Sequence, residues 1–294
     1  MLAFRNTLLL AVLTVGLFAQ SSHAIMIHDG ANEADYIAYG NTFPSNGYVL
    51  PYIGEQAYWG SSAVVIDDGH WVLFSGHQAL IDNNNPSTLY DQYVFGTGQN
   101  ALSDPGSLYT ATEIFVHPDY GGVYHSDLTL LYFEDAITDV TPAVRYRGEL
   151  QVGELLSIVG SGSTGTGSSG YVDGGFQRRG CENVFDSFNI GGMFPDYTLT
   201  TYFVPLGDPD YRPLGGLTGP GDSGGGWYNN DGLLVGIHTG GTGPGYHTAS
   251  IGTGLYEFNG WIDGVQATVP EPSSLVMLFT GVVWLCLLRR RRSA

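Results

Sequence analysis

Trp71-Val72-Leu73-Phe74-Ser75-Gly76-His77 is a four-residue apolar run that ends, three positions on, at a histidine. A run this short, closed by Ser-Gly, reads as a buried strand. Tyr124-His125-Ser126-Asp127-Leu128-Thr129-Leu130-Leu131 sets an aspartate at the head of a second such run, and Gly219-Pro220-Gly221-Asp222-Ser223-Gly224-Gly225 embeds a serine among glycines. The other apolar segments are equally short: Ser62 to Ile66, Tyr93 to Phe95, Ala111 to Val116, Leu155 to Val159, Leu199 to Val204 and Leu233 to Ile237. None sustains a helical period, and only Leu255 to Ile262 could form a brief closing helix. Many short strands separated by Gly and Asn turns predict an all-β sandwich or pair of barrels.

Composition narrows the class further. The 294 residues carry a formal charge of −18, which excludes a basic nucleic-acid binder. Every basic residue is an arginine, and Arg5 and Arg289 to Arg292 lie in the outermost segments, so the middle of the chain is more acidic still. With 43% hydrophobic residues and 19 tyrosines, the sequence is too apolar for a disordered acidic chain. Its glycines lack the three-residue period of collagen. Ser161 to Gly175 is of such low complexity that a flexible surface loop is expected there, and Thr141-Pro142 is the expected crossover between two halves.

Both ends read as targeting signals. Arg5, an apolar run from Leu8 to Phe18 and Ser22-His23-Ala24 make residues 1–24 a secretory signal peptide, with Ile25 the expected mature start and Ile27 the competing one. Pro270-Glu271-Pro272, an apolar stretch from Leu275 to Leu288 and Arg289 to Arg292 closely resemble a PEP-CTERM sorting tail over residues 270–294. That resemblance implies transient membrane contact, processing by an exosortase-type enzyme, and export to the periplasm, surface or medium of a Gram-negative bacterium. The alternative is a single-span anchor, for which about 20 apolar residues would be usual. Cys286 lies in this tail, so the exported part keeps Cys181 alone and no internal disulfide.

A serine hydroxyl is a weak nucleophile and needs a base to take its proton; a histidine oriented by a carboxylate serves. His77, Asp127 and Ser223 supply all three groups, 50 and 96 residues apart. Their motifs resemble, in this chain order, those of chymotrypsin-like (trypsin-fold) serine proteases. Val116-His117-Pro118-Asp119-Tyr120, Gly160-Ser161-Gly162 and Gly236-Ile237-His238-Thr239-Gly240-Gly241 extend the resemblance to Ile25 through Ile262. It implies two six-stranded antiparallel β-barrels, over residues 25–140 and 141–262, with the active site in the cleft between them. A short C-terminal helix and a linker over 263–269 follow. It also implies Ser223 as nucleophile, His77 as base and then acid, Asp127 as its orienting partner, and the N–H groups of Gly221 and Ser223 as oxyanion hole. A freed Ile25 amino group would pair with Asp222. Gly76 where Ala is common, Gln78 where many relatives carry a bridged Cys, and Gly226 after the serine motif mark a divergent, disulfide-free bacterial branch.

Leu217, six positions before Ser223, stands where trypsin-like members keep an aspartate, which speaks against Arg or Lys preference. The implied pocket comprises Leu217, Thr218, His238, Thr239, Gly240, Gly241 and Gly245. Leu217 as floor favours an apolar residue before the scissile bond; Thr218 and His238, similar to residues of bacterial glutamyl endopeptidases, favour Glu. Protein or peptide substrates are expected, and no cofactor. His28, His70, His117, His125 and His247 lack zinc-like spacing. Asp82 to Asn85 with Asp91 offer oxygens for calcium but suit plain turns equally. Two other functions compete. Gly221 to Gly225 fits the nucleophile elbow of α/β hydrolases, but the strand-helix alternation of that fold is missing. A catalytically silent, protease-like exported binding or matrix protein remains the main alternative.

Overall fold

The computed structural model describes residues 25–58, 60–162, 164–173 and 176–269; the expected signal peptide, the sorting tail and Cys286 lie outside the described residues. The first half forms β1 (Asn46–Ile53), β2 (Gln56–Ala57), β3 (Ser61–Ile66), β4 (Trp71–Phe74), β5 (Gln92–Gly96), β6 (Leu108–Thr110), β7 (Glu113–Val116) and β8 (Thr129–Tyr132). They make one antiparallel sheet in the order β6-β5-β1-β3-β4-β8-β7, with β2 on β1. β3 and β4 are buried along their whole length, which is why they read as unbroken apolar runs and not as alternating ones.

The second half contributes β9 (Leu155–Gly160), β10 (Thr164–Thr166), β11 (Gly170–Asp173), β12 (Arg179–Phe188), β13 (Thr198–Tyr202), β14 (Gly226–Tyr228), β15 (Leu234–Gly241) and β16 (Ala249–Gly254). Six of these close a barrel, β12-β13-β16-β15-β14-β9, while β10 and β11 pair as a separate hairpin. The all-β expectation and the six-stranded second barrel hold. The first half differs in having eight strands whose ladder does not close.

Two local expectations are corrected. The low-complexity stretch carries the β10–β11 hairpin because it has partners far away in sequence: Ile27 bridges Thr166, and Asp29 accepts from the Ser168 N–H and hydroxyl at 3.1 and 2.6 Å. An unexpected helix, α1 (Glu33–Gly40), starts at Asn32, whose side chain accepts from the Ala34 N–H, with Glu33 and Asp35 in the first turn. It lies on β12 so closely that a Cβ on Gly40 would come 2.5 Å from the Arg179 backbone. The closing helix, α2 (Asn259–Thr268), begins later than its sequence signal and runs farther.

Each half has its own apolar core, Val49, Val72, Phe74, Phe95 and Leu131 in the first, and Leu156, Phe185, Leu199 and Trp227 in the second. A third cluster forms the seam: Val64, Ile66, Leu73 and Leu130 pack with Val159, Tyr228, Leu234 and Ile237, and α2 joins through Ile262. Cys181 is a free, buried thiol in the second core.

Candidate active site

His77 follows β4 on a single 3₁₀ turn, Gly76–Gln78. Gly76 has no room for a side chain, since a Cβ would stand 2.8 Å from the Tyr120 ring and 3.2 Å from an Asp127 oxygen. Asp127, just ahead of β8, is fully buried. Its Oδ1 accepts from the His77 backbone N–H at 2.7 Å, and its Oδ2 from His77 Nδ1 at 2.7 Å and from the Thr239 hydroxyl. Three donors on two oxygens is the pattern of a carboxylate, so His77 Nδ1 carries its proton and Nε2 is free to accept. Nε2 lies 3.0 Å from Ser223 Oγ. The three side chains are thus in mutual reach although the histidine belongs to the first half and the serine to the second.

The loop before β14 presents Ser223 between two glycines of positive φ, Gly221 (94°) and Gly224 (82°). A Cβ on Gly224 would fall 2.2 Å from the Ser62 carbonyl, so glycine is what lets β3 approach the nucleophile. Among the described residues, neither the Gly221 nor the Ser223 N–H has an internal acceptor. Asp222 turns inward, fully buried, accepting from the N–H groups of Gly219 (2.9 Å) and Gly162 (3.2 Å). Burial pushes its carboxyl up to about 7 against the opposing pull of those two donors and of Arg179. Ile25 is buried too, and Met26 pairs with Leu217 in both directions, Met26 N–H to Leu217 O at 2.7 Å and Leu217 N–H to Met26 O at 3.0 Å.

The expected pocket residues divide. His238 is fully buried, stacked on Trp227 with 6.4 Å between ring centroids, and held down to about 3, first by burial and then by His77. His238 Nδ1 and Thr218 Oγ1 are both buried without a hydrogen-bond partner among the described residues. Thr239 points its hydroxyl at Asp127, so its side chain orients the carboxylate. Leu217 packs with Met26 and Phe203. Gly240 and Gly241 lie under Tyr124, whose hydroxyl donates to the Gly241 carbonyl at 3.3 Å. Gly245 sits against the Gly167 carbonyl. Sequence reasoning also missed Tyr197, whose hydroxyl accepts the Ser126 N–H at 2.8 Å and so steadies the residue before Asp127 at a φ of 48°. Asp82 and Asp91 are engaged as loop acceptors for the N–H groups of Asn84 and Gly54.

A serine within reach of a carboxylate-backed imidazole, at the seam of two antiparallel β-sheets, defines the class as a serine hydrolase of the double-β type. The sequence profile described as Trypsin matches residues 41–262, and the chain belongs to the trypsin family of serine proteases. It is a serine endopeptidase. Among solved structures it shares its fold with neuropsin, a serine protease expressed in the limbic system of mouse brain. The two are 16% identical, with a TM-score of 0.55 over 77% of this chain and 96% of that one. No curated protein matches it.

Proposed function

We propose that Ser223, His77 and Asp127 hydrolyse peptide bonds through an acyl-enzyme. The reading is carried by the 3.0 Å approach of Ser223 Oγ to a His77 ring backed by Asp127. The hydroxyl oxygen bonds to the scissile carbonyl carbon while its proton passes to Nε2, and the carbonyl oxygen takes the negative charge between the Gly221 and Ser223 N–H groups. As the intermediate collapses, the C–N bond breaks and His77 returns the proton to the leaving amine. Water then repeats the sequence on the ester, releasing the acid and restoring Ser223. A serine-directed covalent inhibitor is expected to label the wild type and not Ser223→Ala, whose turnover falls by several orders of magnitude. Absence of labelling and of peptidase activity in the wild type would leave the silent binding protein as the function.

Two finer elements belong to this reading. Glu is the preferred residue before the scissile bond: His238 and Thr218 each keep a buried polar atom unpaired, and Leu217 is engaged with Met26 and Phe203. A site with unpaired polar groups rejects ligands that leave them so, which gives sharper selectivity than apolar fit. Matched peptides with Glu, Gln or Leu before the cleaved bond test this, and an unchanged preference in His238→Ala would remove it. The second element is activation. Cleavage after Ala24 during export frees the Ile25 amine to pair with Asp222, and the tail is removed by an exosortase-type enzyme. N-terminal sequencing and intact mass of active protein check both cuts; a start well beyond Ile27 would contradict the first.

A further inference from the structure

We propose that Ser62, on β3 of the first half, is a positioning residue that sets the geometry of the oxyanion hole. The proposal rests on reading the Gly221 and Ser223 N–H groups as that hole. Ser62 is fully buried. Its hydroxyl donates to the Gly221 carbonyl at 3.0 Å, and its backbone N–H reaches the same oxygen at 3.3 Å. The hydroxyl oxygen in turn accepts the Ser161 N–H at 2.8 Å. With one bond accepted from a backbone donor, its single proton is left for Gly221, so the direction of the relay is determined.

What this clamp holds is the peptide unit between Gly221 and Asp222. Its carbonyl end is fixed by Ser62, and its N–H end by the Gly219 carbonyl, 3.0 Å from the Asp222 nitrogen. The two N–H groups of the hole belong to the peptide units on either side of the fixed one. Pinning the middle unit therefore sets the direction of both. Gly221, at a φ of 94° and without a side chain, has no steric means of holding that direction itself. A donor aimed at a developing oxyanion is worth about a hundredfold to a thousandfold in turnover, and a residue acting through two such donors is expected to contribute about tenfold to a hundredfold.

The test compares the full chain with its Ser62→Ala, Ser62→Thr and Ser62→Cys variants, reading kcat and KM for a peptide amide. Affinity for the corresponding peptide aldehyde, whose adduct with Ser223 places an oxygen in the hole, is read beside affinity for the product peptide acid. Ser62→Ala is expected to lower kcat and aldehyde affinity by the same factor of about ten to a hundred. KM, product affinity and the pH midpoint of kcat/KM should stay put, and Ser62→Thr should restore most of the loss. If Ser62→Ala does not fold, Ser62→Cys, of similar size but a weak donor, must show the same parallel loss. Unchanged kcat and aldehyde affinity overturn the proposal, as does a loss shared with product affinity or accompanied by a moved pH midpoint. Wild-type turnover in Ser223→Ala would defeat the peptidase reading instead, so the two failures are distinct.

Discussion

Buried Asp222 gives the stability of the chain a pH dependence of its own. Its carboxyl, ordinarily at 3.8, is raised to about 7, chiefly by complete burial. Between about pH 4 and pH 7 the folded chain therefore holds a proton that the unfolded chain releases, and the stability this confers is lost as pH rises through that window. Three pH steps at about 1.4 kcal/mol each set a ceiling of about 4 kcal/mol. The perturbation is Asp222→Asn in the full chain, assayed by urea unfolding from pH 4 to 8. Subtracting the variant isolates Asp222 from His238, which burial holds down to about 3 and which adds stability as pH rises toward 6.5. Asp29 and Asp263, lowered to about 2 chiefly by hydrogen bonds from Ser168 and from Arg147, act below pH 4 and are common to both proteins. Wild type minus variant should fall with pH across the window and level off above it. Parallel profiles for the full-length pair would refute the argument.

Three other substitutions probe the framework. Asp127→Asn keeps the shape but leaves an amide facing donors, so the His77 tautomer is wrong; kcat is expected to fall about 10⁴-fold with the fold intact by circular dichroism. Gly76→Ala forces a methyl against Tyr120 and Asp127, and kcat should drop at least about tenfold with a smaller change in KM, measured by steady-state kinetics. Arg145→Ala removes the donor to Asp67, Asn259, Asp263 and Gln266, and chemical denaturation should show a loss of about 1–3 kcal/mol, moderated because Asp67 and Asp263 keep access to water.

What the sequence made legible follows from where information is local. His77 and Asp127 adjoin strands whose apolar runs are unmistakable, and Ser223 sits in a glycine loop of fixed spelling, so all three could be named before any coordinates. Strands with mixed faces were missed: β12 alternates buried and half-buried residues and includes Arg179, Glu182 and Asn183, so no apolar run announced it. Apart from Tyr171, which packs on Met26, Phe203 and Leu217, β10 and β11 carry little to bury, and their order also comes from Ile27 and Asp29, more than a hundred positions away. The α1 signal was present in Asn32, Glu33 and Asp35 but spans only eight residues, too few to show a period. Side-chain direction in the pocket was harder still, because naming a wall does not say which face of the strand it occupies, as Thr239 shows.

A reacting pair drawn from two halves stays at hydrogen-bond distance only if the halves cannot slide, and the chain secures this by crossing its ends. Residues 25–29 and α1 lie on the second half, where Met26 pairs with Leu217 and Arg179 meets Glu33. The C-terminal helix α2 returns to the first half, its Trp261 and the preceding Phe258 packing edge-on against His117 at 4.7 and 5.1 Å. Polar cross-links add direction to that strapping. Asn46 donates to the Tyr228 hydroxyl at 2.5 Å and accepts from the Gly226 N–H at 2.9 Å, and Arg178, buried, donates to the Thr97 and Gly98 carbonyls at 2.9 Å each. Arg178 has no carboxylate hydrogen-bonded to it among the described residues, and burial lowers its pKa. A charge left in such a place depends on its hydrogen bonds to those carbonyls, a geometry that any shift between the halves would break. The same seam carries Ser62 to Gly221 and His77 to Ser223, so the contacts that resist sliding are adjacent to those that do the chemistry.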